Sequence, residues 1–161
     1  MIHLSWLDFA LRHLPEGFII ILAGYAISKK HINVKLFILS SVLLGLLNFF
    51  IKILPISSIF HMVLSIIAAI AILMSINKIK TLYAILSTII CFMITIITEA
   101  INMLILSKIF HLDTARIFQE STPFVKNLYG LPSLILLGVI VVAYYFISKK
   151  KKNVTNKKIS K

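Results

Sequence analysis

The residues of this chain that are best suited to chemistry are a few ionisable and amide side chains set inside long apolar segments. Glu99 lies in FMITIITEAINMLILS, residues 92–107, an almost unbroken apolar run. Asn102 follows one helical turn later, and His61 and Asn48 lie in two other apolar runs. A carboxyl group, an imidazole and two amides held together can exchange a proton, bind an ion or hydrogen bond to a polar ligand.

The elements that position these side chains are predicted to be membrane-spanning helices. The chain has 161 residues, of which 60% are hydrophobic and 14% charged, and its mean hydropathy is +1.02. Runs of roughly 18 or more apolar residues are typical of transmembrane helices. We therefore predict an all-α, polytopic integral membrane protein with about five spans and no soluble catalytic domain. The predicted spans are residues 14–28, 34–53, 55–76, 81–107 and 132–148, and a polybasic tail follows at 149–161.

The distribution of charged residues predicts the orientation of these spans. Twelve of the seventeen lysines and arginines fall in the loops at 29–35 and 78–80 and in the tail. The acidic residues other than Glu99 all fall on the opposite side. Because cytoplasmic loops carry the excess of lysine and arginine, the N-terminus is predicted to lie outside and the C-terminus inside.

The N-terminal residues 2–13 have an amphipathic pattern. Trp6 and Phe9 would face lipid, whereas Asp8 and Arg12 would face water. Such a segment forms either an interfacial helix or an outward extension of the first span.

The outer connection before the last span, about residues 108–130, is predicted to form two short helical pieces on the membrane. Asp113 is suitably placed to cap the first piece. Thr122 and Pro123 fit the N-cap and first helical position of the second, and Gly130 fits a stop signal.

Three Leu-Pro pairs occur where spans are predicted to begin. Proline fits the first helical position, where its missing N–H costs no hydrogen bond, so Pro15, Pro55 and Pro132 are predicted to start helices. All three starts would lie on the outer side, where the positive ends of helix dipoles favour negative charge from Glu16 or from an anionic ligand. The simpler interpretation is that proline only starts the helices.

The polar residues inside the spans are predicted to lie at a similar depth. With a helical rise of about 1.5 Å per residue, Glu99 lies roughly 12 Å from the outer end of its span, and His61 and Asn48 roughly 9 Å. Glu16 lies at the outer mouth of the first span, and Asn102 shares a helix face with Glu99. Ionisable groups at such depth usually face the bundle interior. We therefore predict one cluster, which either responds to a ligand or proton or only holds the helices together.

Several short motifs resemble a known class of membrane sensor. The motifs are LPEGF near the start, LPI followed by His61, Glu99 in the fourth span, and LYGLPSLILL before the last span. Together they resemble the N-terminal membrane regions of Firmicutes sensors of the peptide-sensing GHKL histidine kinase type, over about residues 14–147. The resemblance implies signal reception in a bacterial cytoplasmic membrane. No ATPase or phosphoacceptor domain is recognisable, so we expect signal output to need a separate partner protein.

Other kinds of chemistry are not indicated. The sequence has no HExxH, GxSxG or phosphate-binding glycine motif, and its five histidines lack metal-ligand spacing. We therefore expect no enzyme, no cofactor and no metal site. The lysines directly after the last span are predicted to contact anionic membrane lipid or a protein partner rather than nucleic acid. They are Lys149, Lys150, Lys151 and Lys152.

Three functional hypotheses remain open at this point. The first is a small membrane sensor or regulatory subunit. The second is a small transporter or ion-conducting oligomer with Glu99, His61 and Asn102 along its pathway. The third is a membrane scaffold or immunity-type protein that acts by association with a partner or with copies of itself. We favour the first, because the sequence lacks the internal repeat and the interrupted spans found in many transporters.

Overall fold

A computed structural model describes residues 9–109 and 123–159 of the chain, and every regular element within these ranges is helical. A π-helical turn, Phe9–His13, leads without a break into the first of five α-helices. The helices are α1 Leu14–Ser28, α2 Val34–Ile53, α3 Ser58–Ser75, α4 Thr81–Lys108 and α5 Pro123–Ile159.

The surface of these helices is that of a membrane protein. Four segments are long and apolar enough to cross a membrane, and α3 supplies a shorter apolar segment, Ile59–Ser75. Large apolar side chains that are at least 60% exposed include Phe50, Ile59, Phe60, Leu82, Leu104, Ile135, Val139 and Phe146. Water-soluble proteins rarely expose so much contiguous apolar surface. The prediction of an all-α, polytopic membrane protein is therefore confirmed.

Helix α1 lies at the centre of the bundle. It packs against all four other helices, and seven of its fifteen residues are buried. The helices α2, α3, α4 and α5 follow one another around it, since each packs against the next in the sequence. Among the described residues, α2 and α5 share no extended packing, so the arc is open between them. At the end that the lysine distribution predicts to lie outside, here called the outer end, the π-helical turn packs on both helices and fills this opening. The opposite end is called the inner end.

Glycines determine the distance between α1 and α2. A Cβ atom added to Gly17 would lie 2.6 Å from the Ser41 carbonyl oxygen, and one added to Gly45 would lie 3.0 Å from the His13 carbonyl oxygen. Small residues of this kind let the backbones of membrane helices approach closely. The close approach brings the start of α1 against the outer half of α2.

The π-helical turn decides between the two interpretations of the N-terminus for the residues that the structure describes. Phe9–His13 extends α1 outward, and Phe9–Ser28 forms one segment long enough to cross a membrane. Arg12, predicted to face water, instead contacts Glu99 in the bundle. The interfacial helix is therefore wrong for Phe9–His13, because the charge of Arg12 has a partner inside the protein. Residues 1–8 lie outside the described ranges.

The prediction that prolines start helices is confirmed for Pro15 and is wrong for Pro55 and Pro132. Pro15 is the second residue of α1 but follows the π-helical turn directly. Pro55 lies in the turn before α3, which begins at Ser58 after the extended backbone of Ser57. Pro132 lies inside α5. The predicted outer rim of three helix starts is therefore not formed.

Helix α5 continues through Pro132. Proline lacks the N–H that would bond to the carbonyl four residues earlier, here the carbonyl of Leu128. Two side chains donate to the next carbonyls of the same turn. The Asn102 side-chain amide of α4 donates a 2.7 Å hydrogen bond to the Tyr129 carbonyl, and the Ser133 hydroxyl donates one of 2.7 Å to the Gly130 carbonyl. The first of these hydrogen bonds connects this turn of α5 to α4.

The last helix is longer than its predicted span at both ends. It passes through Gly130, which was expected to be a stop, and it continues through the lysines to Ile159, where a tail was expected. The predicted short helix capped by Asp113 falls in residues 110–122, outside the described ranges.

Candidate functional site

The outer end of the bundle contains a cavity of about 470 Å³ between α1, α2, α3 and α4, here termed the outer cavity. Four of the five residues predicted to cluster line it. Glu16 comes from α1, Asn48 from α2, His61 from α3 and Glu99 from α4. The helix packing therefore brings together polar side chains from four separate apolar segments.

An ion pair with the π-helical turn positions Glu99. The Nη2 atom of Arg12 donates to Oε1 of Glu99 at 2.6 Å. Gly130 of α5 makes room for the guanidinium, because a Cβ atom there would lie 2.8 Å from Nη1 of Arg12. An unpaired carboxylate in apolar surroundings is costly, so Arg12 supplies the counter-charge that lets Glu99 remain in this helix.

His13 and Glu16 form a second pair of ionisable groups in the wall of the outer cavity. The Nδ1 atom of His13 lies 4.0 Å from Oε2 of Glu16. The His13 side chain is buried and packs edge-to-face on Phe49, with ring centroids 6.1 Å apart. With Arg12 and Lys52 also in the lining, the outer cavity presents cations and carboxyl groups together and suits a polar ligand of mixed character.

Asn48 and His61, which line the outer cavity, each have one buried polar atom with no hydrogen-bond partner among the described residues. These atoms are Oδ1 of Asn48 and Nδ1 of His61. Asn48 is only 6% exposed. Since buried polar atoms in native proteins almost always have a hydrogen-bond partner, the partner of each comes from water, from a ligand or from the segments outside the described ranges.

Asn102, the fifth predicted residue, does not line the outer cavity. It lines a smaller cavity of about 90 Å³ on the α5 side of the ion pair, together with Arg12 and Glu99. Its amide is already engaged with the Tyr129 carbonyl. We therefore assign Asn102 a part in the contact between α4 and α5, separate from the other four residues.

Three ionisable residues of the outer cavity, Arg12, His13 and Lys52, were not predicted as site residues. The signal that identifies two of them is helical spacing. Arg12 lies four residues before Glu16, and the two share a face once the helix extends back through His13. Lys52 lies four residues after Asn48 and shares its face on α2 for the same reason.

A hydrogen-bond network with a buried centre lies at the inner end of the bundle. The Tyr25 hydroxyl donates to Oδ1 of Asn77 at 2.7 Å, and the Ser40 hydroxyl donates to the same oxygen at 3.3 Å. The Nζ atom of Lys30 donates to the carbonyls of Asn77 and Lys78 at 2.7 and 2.9 Å. This inner network ties α1 and α2 to the end of α3.

An apolar layer separates the outer cavity from the inner network. It contains Ile21, Leu44, Ala69 and Cys91, one from each of α1 to α4, and none is more than 1% exposed. Ile21 lies five residues inward of Glu16, and Leu44 lies four residues inward of Asn48. Ala69 and Cys91 each lie eight residues inward, of His61 and Glu99 respectively. No Asp, Glu, Lys or Arg occurs at this level of the four helices, so the layer below the outer cavity has no charged side chain.

The fold and its exposed apolar surface define a multi-pass α-helical membrane protein. No protein-family model, curated protein or solved structure matches the chain. Within residues 9–109 and 123–159, no three His, Cys, Asp or Glu side chains converge as metal ligands would. The functional conclusion therefore rests on the geometry of the outer cavity.

Proposed function

We propose that this protein is a small sensor or regulatory subunit of a bacterial cytoplasmic membrane. It receives an extracellular or membrane signal in the outer cavity and relays that signal to a partner protein. One observation carries the proposal: ionisable groups from four helices meet at one end of the bundle, above an apolar layer that has no charged side chain. A receptor site needs the first feature, whereas a permeation pathway would have to pass through the apolar layer.

The ion pair offers a physical route for the relay. Arg12 belongs to the turn that leads into the central helix α1, and Glu99 belongs to α4. A ligand that competes for either charge stabilises a different arrangement of these helices. The inner end of α1 carries Tyr25, and Lys30 follows it, so a shift of α1 reaches the inner network directly.

The two other hypotheses make different predictions. A transporter or ion-conducting oligomer would use Glu99 and His61 along a pathway, and it requires an arrangement in which the apolar layer opens. A scaffold or immunity-type protein would show neither flux nor a response of its inner end to changes at Glu99.

Thiol accessibility tests the relay. In a Cys91→Ala background, Lys78→Cys places a single thiol beside the inner network, and its reaction rate with an impermeant maleimide is measured in inside-out vesicles. Glu99→Gln is expected to change that rate by at least about fivefold, which corresponds to the lower end of typical coupling between sites. The control, Lys108→Gln, removes an exposed charge of the same helix outside the outer cavity and is expected to leave the rate unchanged.

Equal rates in the parent protein and in both variants would contradict the relay.

Proton flux into liposomes separates the sensor from the transporter. The purified chain is expected to give none, and a flux that Glu99→Gln abolishes would overturn the proposal in favour of transport. An adjacent kinase or peptide-exporter gene would identify the partner.

A further inference from the structure

A second polar cavity, of about 420 Å³, lies at the inner end of the bundle and is here termed the inner cavity. It lies between the α1–α2 loop and α5, where the arc of helices is open. The polar side chains that line it are Tyr25 of α1, Lys29, Lys30 and His31 near the loop, and Tyr145, Ser148 and Lys149 on α5.

The charged side chains of the inner cavity are all positive. The elements that line it contain no Asp or Glu except Glu16, which is at the opposite end of α1. Lys30 donates to the carbonyls of Asn77 and Lys78, which carry no net charge. Three ammonium groups around one cavity repel one another, so an anion in the cavity would stabilise the arrangement.

The inner cavity also opens sideways toward apolar surface. Val34, at the start of α2, lines it and is 62% exposed. On α5, Tyr145 and Ser148 share the face that lines the cavity, and Phe146 and Ile147, which are 62% and 66% exposed, lie on the adjoining faces of the helix. A molecule bound there therefore meets cations in the cavity and hydrocarbon beside it.

We propose that the inner cavity binds the phosphate-bearing head group of one anionic phospholipid, with Lys29, Lys30 and Lys149 as its cationic contacts. The hydroxyl groups of Tyr145 and Ser148 supply further hydrogen-bond donors. The lipid phosphate brings the negative charge that the cavity lacks, and the acyl chains leave through the opening between α2 and α5. A soluble phosphate compound would satisfy the charge but would not use this apolar opening.

This site is more specific than attraction of the lysine tail to a charged membrane. The head group would bridge the α1–α2 loop and α5, which face each other across the open side of the bundle. Lys30 also belongs to the inner network, so a bound lipid would stabilise the inner end in the arrangement seen here. The inference does not depend on the outer cavity or on the proposed sensor function.

Native mass spectrometry of the purified full chain tests the site. After incubation with equal amounts of phosphatidylglycerol and phosphatidylcholine, the protein is expected to retain one phosphatidylglycerol preferentially. Lys29→Gln combined with Lys149→Gln is expected to weaken that affinity about twenty-fivefold, at about fivefold for each lysine. Lys30 is left unchanged because its hydrogen bonds to the end of α3 stabilise the fold. Lys149→Gln alone changes an exposed position and is expected to weaken the affinity for phosphatidylglycerol about fivefold. This single variant tests the site if the double variant does not fold.

The matched control combines Lys35→Gln with Lys80→Gln. Lys35 and Lys80 are exposed at the inner end of the bundle and do not line the inner cavity. Their replacement is expected to leave the affinity for phosphatidylglycerol nearly unchanged. Equal losses in the two double variants would show diffuse attraction and overturn the proposal, as would equal retention of the two lipids. Excess inorganic phosphate is expected not to displace the lipid. Displacement that depends on Lys149 would identify a site for soluble phosphate instead.

Discussion

A carboxylate within an apolar helix is tolerated when a cation reaches it, and Arg12 reaches Glu99 at 2.6 Å. A guanidinium suits this role because it stays charged and donates directed hydrogen bonds. The two side chains are 32% and 42% exposed, so the pair contributes less to stability than a fully desolvated pair could. Its larger effect is to hold the π-helical turn against α4, at the edge of the outer cavity.

A double-mutant cycle measures this ion pair. Arg12→Gln and Glu99→Gln are each expected to lower the free energy of unfolding by about 1 kcal/mol, with a coupling energy of about 0.5–1 kcal/mol between them. Unfolding is followed by circular dichroism as the fraction of sodium dodecyl sulfate in mixed micelles rises. Glu99→Gln with Lys108→Gln is the control cycle, with an expected coupling near zero. Zero coupling in the first cycle would mean that the pair does not stabilise the protein.

Among the secondary-structure elements, the contact between α1 and α2 determines the shape of the outer cavity. Gly17 lies against the backbone of α2, and Gly45 lies against the backbone at the start of α1. This reciprocal contact brings Glu16 and Asn48 to the same cavity. A side chain at either glycine would push the helices apart, because the atoms it meets belong to backbone.

Gly17→Ala and Gly138→Ala test this contact as a matched pair. The first is expected to lower the free energy of unfolding by about 1–3 kcal/mol, since the new methyl group would lie 2.6 Å from a carbonyl oxygen. The second meets only the Ile19 side chain at 3.5 Å and is expected to be neutral or to stabilise by up to about 1 kcal/mol. The same micelle titration measures both. Equal effects of the two substitutions would contradict a close contact at Gly17.

Across the whole molecule, the two ends of the bundle differ in charge. The outer cavity contains Glu16 and Glu99 together with Arg12 and Lys52, whereas the charged residues of the inner cavity are lysines. An apolar layer lies between them. The lysines of the inner cavity are among those from which the orientation is predicted, so the purely basic end is the one expected to face the cytoplasm.

Cysteine labelling in intact cells tests this orientation. In a Cys91→Ala background, Ile56→Cys lies in the exposed turn between α2 and α3, and Lys80→Cys lies at the opposite end, just before α4. An impermeant maleimide is expected to label position 56 in intact cells and position 80 only after permeabilisation. The reverse pattern would invert the topology, and with it the sides assigned to the two cavities.

The sequence alone determined the class of fold and the depth of the polar residues. Helices α1 and α2 have the bounds predicted for the first two spans, because hydropathy depends on local composition. The helical rise likewise determines depth, so Glu16, Asn48 and Glu99 could be predicted to lie at one level before their neighbours were known.

Only the tertiary structure decided which groups meet. The Arg12 guanidinium pairs with Glu99, and the Asn102 amide donates to the Tyr129 carbonyl. Each outcome depends on a residue from another helix, and local patterns contain no information about that residue. The sequence pattern places the charge of Arg12 near a helix end, where it predicts contact with water, and only the packing of α4 against the π-helical turn supplies Glu99 as its partner.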